Sequence, residues 1–186
     1  ARVILPVADG SRQNFDFAAL RAADLEGDLF ARDFTVNAIA IDIHAPGKLI
    51  DPLGGAADLL AKTLRACSET SFLDDPLRVL RGVRLSLALG YRLEPDTTRL
   101  MRAAVPNLRR VSIERMRDEL FRMLDCSQPA TAIRLLDQLG ALQVILPEVG
   151  TLKGVSQSTP HIWDVWEHTL AVLSELQRLF AVLVEP

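Results

Sequence analysis

The stretch Phe72-Leu-Asp-Asp-Pro-Leu-Arg-Val-Leu-Arg-Gly-Val-Arg84 decides how the rest of the chain is organised. Carboxylates followed by proline suit the first turn of a helix, because proline lacks the N–H that would be unpaired there and the acids complement the helix dipole. The pattern therefore predicts a helix that begins at Asp75 and Pro76 and ends near Gly90. Leucine and valine recur along one side of this helix, and arginine occupies a neighbouring side at positions 78, 81 and 84.

Asp75 and Arg78 are three residues apart, so a helix would place a hydrogen-bond acceptor beside a fork of donors. Adenine and cytosine each carry an amine donor next to a ring-nitrogen acceptor, which this pair of side chains matches. Guanine and uracil present the reverse order and would leave polar groups unpaired. An alternative interpretation is a helix cap with a surface ion pair of little energetic value.

The wider string, residues 74–84, resembles the nucleotide-selecting motif of class II tRNA nucleotidyltransferases (CCA-adding enzymes) and bacterial poly(A) polymerases. The family pattern is Glu-Asp-x-x-Arg, and this chain carries Asp74 where the family usually has Glu. The resemblance implies that Asp75 and Arg78 pair with an incoming CTP or ATP. We also expect Arg81, on the same helix, to bind the nucleotide.

A second motif, Arg32-Asp-Phe-Thr-Val-Asn-Ala38, resembles the family string Arg-Arg-Asp-Phe-Thr-x-Asn-Ala, with Ala31 in place of the first arginine. The resemblance implies that Arg32 and Asp33 lie near the sugar and phosphates and that Asn37 helps to hold the site. Two further strings, residues 51–65 and 110–120, resemble motifs that connect the family's head and neck domains and support the nucleotide-selecting helix.

The order of strand-like and helical segments predicts an α+β fold, with a small, incomplete antiparallel sheet followed by a mainly helical neck. We predict strands over residues 2–7 and 13–17 joined by a turn at 8–11, and a hairpin over 38–50. Residues 1–65 would be the remainder of a nucleotidyltransferase head, 66–150 the neck, and 151–186 a linker followed by a helix from Trp163 to Val184. Glycine and proline predict a helix start at Pro129 and a stop at Gly140.

The charge distribution is uneven, although the whole chain has a net charge of only −3. Between Arg78 and Arg122 there are eleven arginines, no lysine and five acids. Guanidinium groups bind phosphate oxygens in pairs, so this composition suits phosphate recognition, and the family resemblance implies that these helices hold an RNA 3′ end. The residues expected to bind RNA are Arg84, Arg109, Arg110 and Arg117. An ordinary solvated face is the alternative.

Two-metal nucleotidyl transfer requires closely paired carboxylates. The family supplies them from a Gly-Gly loop and an Asp-x-Asp strand, and neither precedes Asp16 in this sequence. Asp16 is the available candidate for a third carboxylate. We therefore expect the intact enzyme to use Mg2+, this chain to bind none, and the chain alone to be catalytically inert.

His161 and His168 lie in a segment that resembles the first helix of a His-Asp phosphohydrolase domain. Such a metal site needs several ligands on separate helices. The chain has only three histidines and no His-Asp dipeptide, so metal-dependent hydrolysis is disfavoured.

The sequence has no apolar run long enough to span a membrane and no signal peptide, so we expect a soluble cytoplasmic protein. Cys67 and Cys126 are isolated in sequence and predict neither a disulfide framework nor a zinc site. The leading hypothesis is part of an RNA nucleotidyltransferase that adds CMP or AMP to RNA 3′ ends, with ATP, CTP and RNA as partners. A non-catalytic helical RNA-binding module is the alternative. The sequence does not distinguish tRNA end repair from poly(A) addition, and it does not give the oligomeric state.

Overall fold

The computed structural model describes residues 1–7 and 11–183. Its architecture is α+β, with short two-stranded sheets and a helical majority, which confirms the predicted fold class. The strands are β1 (Arg2–Pro6), β2 (Arg12–Asp16), β3 (Ala40–Ile41), β4 (Leu49–Ile50), β5 (Thr63–Leu64) and β6 (Arg92–Leu93). The helices are α1 (Leu25–Phe30), α2 (Gly55–Leu60), α3 (Ser71–Asp74), α4 (Arg78–Leu89), α5 (Pro95–Ala104), α6 (Ile113–Leu124), α7 (Pro129–Leu139), α8 (Leu142–Ile145), α9 (Pro147–Gly150) and α10 (Val165–Leu183).

Both predicted hairpins are present. Strands β1 and β2 pair antiparallel with Arg2 opposite Asp16, and β3 pairs antiparallel with β4. The predicted turn at 8–11 falls mostly on residues 8–10, which lie outside the described residues. The sequence analysis did not predict the parallel pair of β5 and β6, in which Thr63 lies opposite Arg92. This pair links the segment before α3 to the loop after α4.

The predicted helix stops are confirmed at Gly90 and Gly140, which take left-handed conformations with φ of 65° and 81°. The start of α7 at Pro129 is also confirmed. Helix α10 begins two residues after the predicted Trp163, and Val184 lies outside the described residues. None of the described helices combines the length and apolarity needed to cross a membrane.

The predicted start of α4 at Asp75 was wrong by three residues. Asp75 follows α3 and is extended, with φ of −144° and ψ of 97°, because proline disfavours the helical region for the residue before it. The amides of Arg78 and Val79 bond three residues back, to Asp75 and Pro76, so the first turn is of the tight 3-10 type. The Asp75 carboxylate therefore lies just outside the helix, where it accepts from the Leu77 amide at 3.3 Å.

Helices α4, α5, α6 and α7 pack around the main hydrophobic core. The predicted apolar side of α4 faces this core, and Leu80 and Val83 are fully buried there. Phe34, from the first third of the chain, inserts into the same core and contacts the Phe72 ring edge-on, with centroids 6.0 Å apart. The segment that carries the second motif is thus anchored in the helical core.

Two arginines of α4 also connect this helix to the first third of the chain. The buried Arg78 guanidinium donates to the carbonyl oxygens of Ala31 at 2.7 Å, Ser71 at 3.0 Å and Arg32 at 3.2 Å. Arg81 donates to Asp33 at 2.6 and 3.0 Å. The predicted division of the chain at residue 65 stays a prediction.

Gly55 should be intolerant of any side chain. A Cβ at this position would collide with the carbonyl oxygen of Thr35, whose backbone is fixed by a hydrogen bond to Arg65. We expect Gly55→Ala to lower the free energy of unfolding by about 1–3 kcal/mol in urea titrations followed by circular dichroism. Gly47→Ala is the control, because a Cβ there meets nothing within 4 Å. Equal stability of the two variants would contradict the close approach of Gly55 to the Thr35 carbonyl.

The Asp33–Arg81 pair should make stability depend on pH. Burial acts to raise the pKa of Asp33, but the bonds from Arg81, Asn37 and the Phe34 amide outweigh it and hold this pKa below its usual value. The ionised carboxylate therefore stabilises the fold above about pH 4, and this contribution is lost as the pH falls through the native pKa.

We expect Asp33→Asn to cost about 1–3 kcal/mol of unfolding free energy at pH 7, since Arg81 keeps some solvent contact. The difference from the wild type should shrink in acid. Asp96→Asn, in an exposed pair with Arg99, should leave stability unchanged at every pH. A difference between Asp33→Asn and the wild type that is constant from pH 7 to pH 3 would contradict the assigned role.

Candidate nucleotide-binding site

A polar cavity of about 540 Å3 lies between the segment around α1 and the beginnings of α4 and α6. Eight side chains line it, and every one is charged or an amide. They are Arg21, Arg32, Asp33, Asn37, Asp75, Arg78, Arg81 and Arg115. The volume falls in the range of small-molecule sites. Five arginines and two aspartates give the lining a net charge of +3, which suits an anionic ligand.

All six residues predicted to bind nucleotide line this one cavity. They are Arg32, Asp33, Asn37, Asp75, Arg78 and Arg81. They come from two segments about 40 residues apart in sequence that the fold brings together. The roles of the individual residues stay predictions, because their proximity is consistent with several anionic ligands.

Asp33 is the most constrained acid of the site. It is only 6% exposed and accepts from Arg81, from the Phe34 amide at 2.9 Å and from the Asn37 amide nitrogen at 3.2 Å. Its depressed pKa keeps the carboxylate ionised at neutral pH. Asn37 itself is exposed and lies in the 3-10 turn Thr35–Asn37, so its contact with Asp33 ties that turn to the cavity wall.

Asp75 and Arg78 both reach the cavity, but they are not paired with each other. The partner of Asp75 is Arg115 of α6, at 2.8 Å. Arg115 lies in residues 110–120, which resemble a family motif that supports the nucleotide-selecting helix. Its contact with Asp75 connects this segment to the residue predicted to recognise the base. Carboxylates accept about four hydrogen bonds, and Asp75 uses two here, so it keeps acceptor capacity for a ligand.

Arg78 is buried, with 7% exposure, and the partners of its guanidinium among the described residues are all carbonyl oxygens. Three bonds to carbonyls leave about two of its five N–H donors available. Carbonyls carry no net charge, so these bonds orient the guanidinium without neutralising it. Arg78 can thus direct a cation and spare donors into the cavity.

Asp28 holds two of the cavity arginines in place, a role that the sequence analysis did not predict. It is 3% exposed and accepts from Arg32 at 2.9 and 3.1 Å and from the Arg21 amide at 2.8 Å. These bonds, that of the Arg21 amide first, hold the pKa of Asp28 below its usual value. The four-residue spacing of Asp28 and Arg32 could have revealed their pairing. No pattern in the sequence marks Arg21 as part of the site.

The remaining predicted residues lie away from the cavity. Asp16 is exposed on β2 and is paired with Arg2 at 2.7 Å. Arg84 is half-buried and bonds to the buried carboxylate of Glu119 at 2.7 Å, which joins α4 to α6. Arg117 pairs with its neighbour Asp118, whereas Arg109 and Arg110 are exposed and their side chains make no hydrogen bond or ion pair in the described part of the chain.

The described residues do not fit a catalytic metal centre. Among residues 1–7 and 11–183, no three side chains of His, Cys, Asp or Glu converge so that they could hold an ion. The rings of His161 and His168 contact each other edge-on, with centroids 5.2 Å apart, without a third ligand from the described chain. Burial raises the pKa of the Cys67 thiol to about 12, so this cysteine is a poor nucleophile.

Two family models match separate parts of the chain, and each matched part contributes residues to the cavity. The model described as the poly A polymerase head domain matches residues 8–65, and the one described as a probable RNA and SrmB-binding site of polymerase A matches residues 90–152. Residues 72–84, which carry the predicted nucleotide-selecting motif, lie between the two matches.

Two curated relatives share about two fifths of the aligned residues with this chain. The A-adding tRNA nucleotidyltransferase of Deinococcus radiodurans is 40% identical over 87% of this chain and 38% of its own length. The multifunctional CCA protein of Neisseria gonorrhoeae is 43% identical over 86% of this chain and 39% of its own length. The chain thus spans about two fifths of the length of these relatives.

Solved structures share the fold. The Thermotoga maritima CCA-adding enzyme complexed with tRNA is 32% identical and superimposes with a TM-score of 0.68 over 85% of this chain and 37% of that one. A complex of a CCA-adding enzyme with ATP gives a TM-score of 0.69 over the same shares of the two chains, also at 32% identity. Together with the head-domain match and the convergence of both nucleotide motifs on one cavity, these similarities show that the chain belongs to the class II tRNA nucleotidyltransferase and bacterial poly(A) polymerase family.

Proposed function

We propose that this chain supplies nucleotide selection and RNA binding to an enzyme that adds CMP or AMP to RNA 3′ ends. One observation carries the proposal: two motifs distant in sequence line the same cationic cavity. The names of the relatives, which include A-adding and CC-adding tRNA nucleotidyltransferases, support the reaction class. A cytoplasmic location, where tRNA and nucleoside triphosphates meet, is part of the same proposal.

Base selection would use the spare hydrogen-bonding capacity of Asp75 and Arg78. The Asp75 carboxylate would accept from the exocyclic amine of adenine or cytosine, and Arg78 would donate to the adjacent ring nitrogen. Arg115 and the Leu77 amide hold Asp75 from two directions, so the acceptor is oriented before the base arrives. Guanine and uracil would place a carbonyl against Asp75 and an N–H against Arg78, which leaves buried polar groups unpaired.

Sugar and phosphate binding would use Asp33 and two of the other arginines that line the cavity. The ionised Asp33 can accept from a ribose hydroxyl, and the partly exposed Arg32 and Arg81 can donate to phosphate oxygens. The intact enzyme would use Mg2+ for the transfer step, but the residues described here do not fit such a centre. The chain alone would therefore bind nucleotides without transferring them, and none of the steps proposed for it passes through a metal.

RNA contact would use the arginines beyond the cavity. Arg109 and Arg110 precede α6, are exposed, and meet no carboxylate among the described residues. Arg117 lies on α6 and is also exposed. The internal pair with Glu119 leaves Arg84 less able to reach RNA, so we assign it mainly to holding α4 against α6. A helical RNA-binding module without base selection is the competing function.

Nucleotide titrations observed by NMR test base selection. We expect ATP and CTP to bind more tightly than GTP and UTP, and Asp75→Ala to weaken ATP binding at least about tenfold, because a charged hydrogen bond is lost. Asp74→Ala is the matched control. Its side chain is exposed, bonds to the Thr70 hydroxyl and does not line the cavity. Equal affinity for all four nucleotides would favour the competing function.

RNA binding should depend on Arg109 and Arg110. Replacing both with alanine should weaken binding of a short RNA ending in cytidines and lower the slope of log affinity against log salt by about 1.4, the value for two phosphates on a single strand. The double variant Arg99→Ala, Arg178→Ala removes the same charge from exposed ion pairs elsewhere. A similar change of slope in this control would show that the effect is one of total charge alone.

A further inference from the structure

Arg21 differs from the other four arginines of the cavity. Arg32, Arg81 and Arg115 are each paired with an aspartate, and Arg78 is bonded to carbonyl oxygens. The Arg21 guanidinium makes no hydrogen bond or ion pair with any residue in the described ranges, although it lines the same cavity. It is therefore the cavity cation with the largest unused donor capacity.

The backbone of Arg21 is nevertheless fixed. Its amide donates to one carboxylate oxygen of the buried Asp28 at 2.8 Å, while the other oxygen of Asp28 accepts from Arg32. One buried carboxylate thus positions two cavity arginines, one through its backbone and one through its side chain. The Arg21 side chain extends from an anchored position while its guanidinium remains available.

We propose that Arg21 binds the triphosphate of the incoming nucleotide. Arg21 and Arg32 are held by the same carboxylate, Asp28, so the cavity lining has a second guanidinium near Arg32 as well as Asp75, the residue proposed to contact the base. A planar guanidinium matches two phosphate oxygens, and an arginine already paired with a carboxylate has fewer donors to offer. This inference rests on the proposed function, since it assumes that the cavity holds a nucleotide.

Two kinds of ligand could bring a phosphate group to Arg21: a nucleoside triphosphate and the backbone of an RNA. The triphosphate is favoured because Arg21 lies inside the cavity with the base-recognising residues, whereas the arginines proposed for RNA lie outside it. The two sources predict different ligand dependence for an Arg21 variant, so they can be separated by experiment.

The test compares Arg21→Ala, Arg21→Lys and the wild-type chain by isothermal titration with ATP, AMP, inorganic tripolyphosphate and a short RNA. We expect Arg21→Ala to weaken ATP and tripolyphosphate binding at least tenfold and AMP binding less than twofold. Arg21→Lys should recover part of the loss, because it keeps the charge without the fork. Arg102→Ala is the control, since Arg102 is exposed, has no side-chain partner in the described chain and lies outside the cavity. Circular dichroism verifies that each variant is folded.

Three results would overturn the assignment. Unchanged ATP binding by folded Arg21→Ala, with a wild type that binds ATP, would refute the role of Arg21 and leave the proposed function intact. Equal losses for ATP and AMP would show that Arg21 does not act through the β- and γ-phosphates. Weaker binding of a short RNA with unchanged ATP affinity would assign Arg21 to the RNA backbone. A wild-type chain that binds none of these ligands would instead refute the proposed function itself.

Discussion

The buried guanidinium of Arg78 is the constraint on which the site depends. A buried charge needs acceptors, and Arg78 finds them in the carbonyl oxygens that follow α1 and in that of Ser71. The carbonyls of Ala31 and Arg32 follow α1 and lack intrahelical donors, so both sides of these contacts are satisfied, while the Ser71 carbonyl accepts from the Asp75 amide as well. The beginning of α4 is thereby held against the segment that carries Arg32 and Asp33, and the cavity is the space between them.

The acidic side chains in and around the cavity are also held in place by bonds to distant or neighbouring residues. Each acid bonds to an arginine from another part of the chain or from the next helical turn: Asp33 to Arg81, Asp75 to Arg115, and Asp28 to Arg32. These pairs orient the side chains, and the surplus of arginine leaves the lining positive. A site of this kind is ordered before its ligand arrives, which reduces the entropy that binding would cost.

Local patterns in the sequence predicted the helices and strands well, but they did not predict which side chains from distant parts of the chain contact each other. Glycines 90 and 140 and Pro129 marked helix ends because their effect on the backbone is local. The predicted start of α4 was wrong because the pair Asp75-Pro76 suits two arrangements equally well. It can cap the first turn of a helix, or it can form a separate turn just before the helix. The resemblance to known motifs identified six of the eight cavity residues, but the contact of Asp75 with Arg115 spans 40 residues, and helical periodicity carries no information on such a pair. The contact of Arg84 with Glu119 was unpredictable for the same reason, because its buried partner lies on another helix.

If the cavity between α1, α4 and α6 holds a nucleoside triphosphate, a crystal structure of this chain grown with a non-hydrolysable ATP analogue should show the ligand there. We expect the adenine amine within hydrogen-bond distance of Asp75 and the phosphates beside Arg21 and Arg32. An analogue bound elsewhere on the chain, or bound in the cavity with its phosphates at Asp75, would show that the cavity does not select the nucleotide in this way.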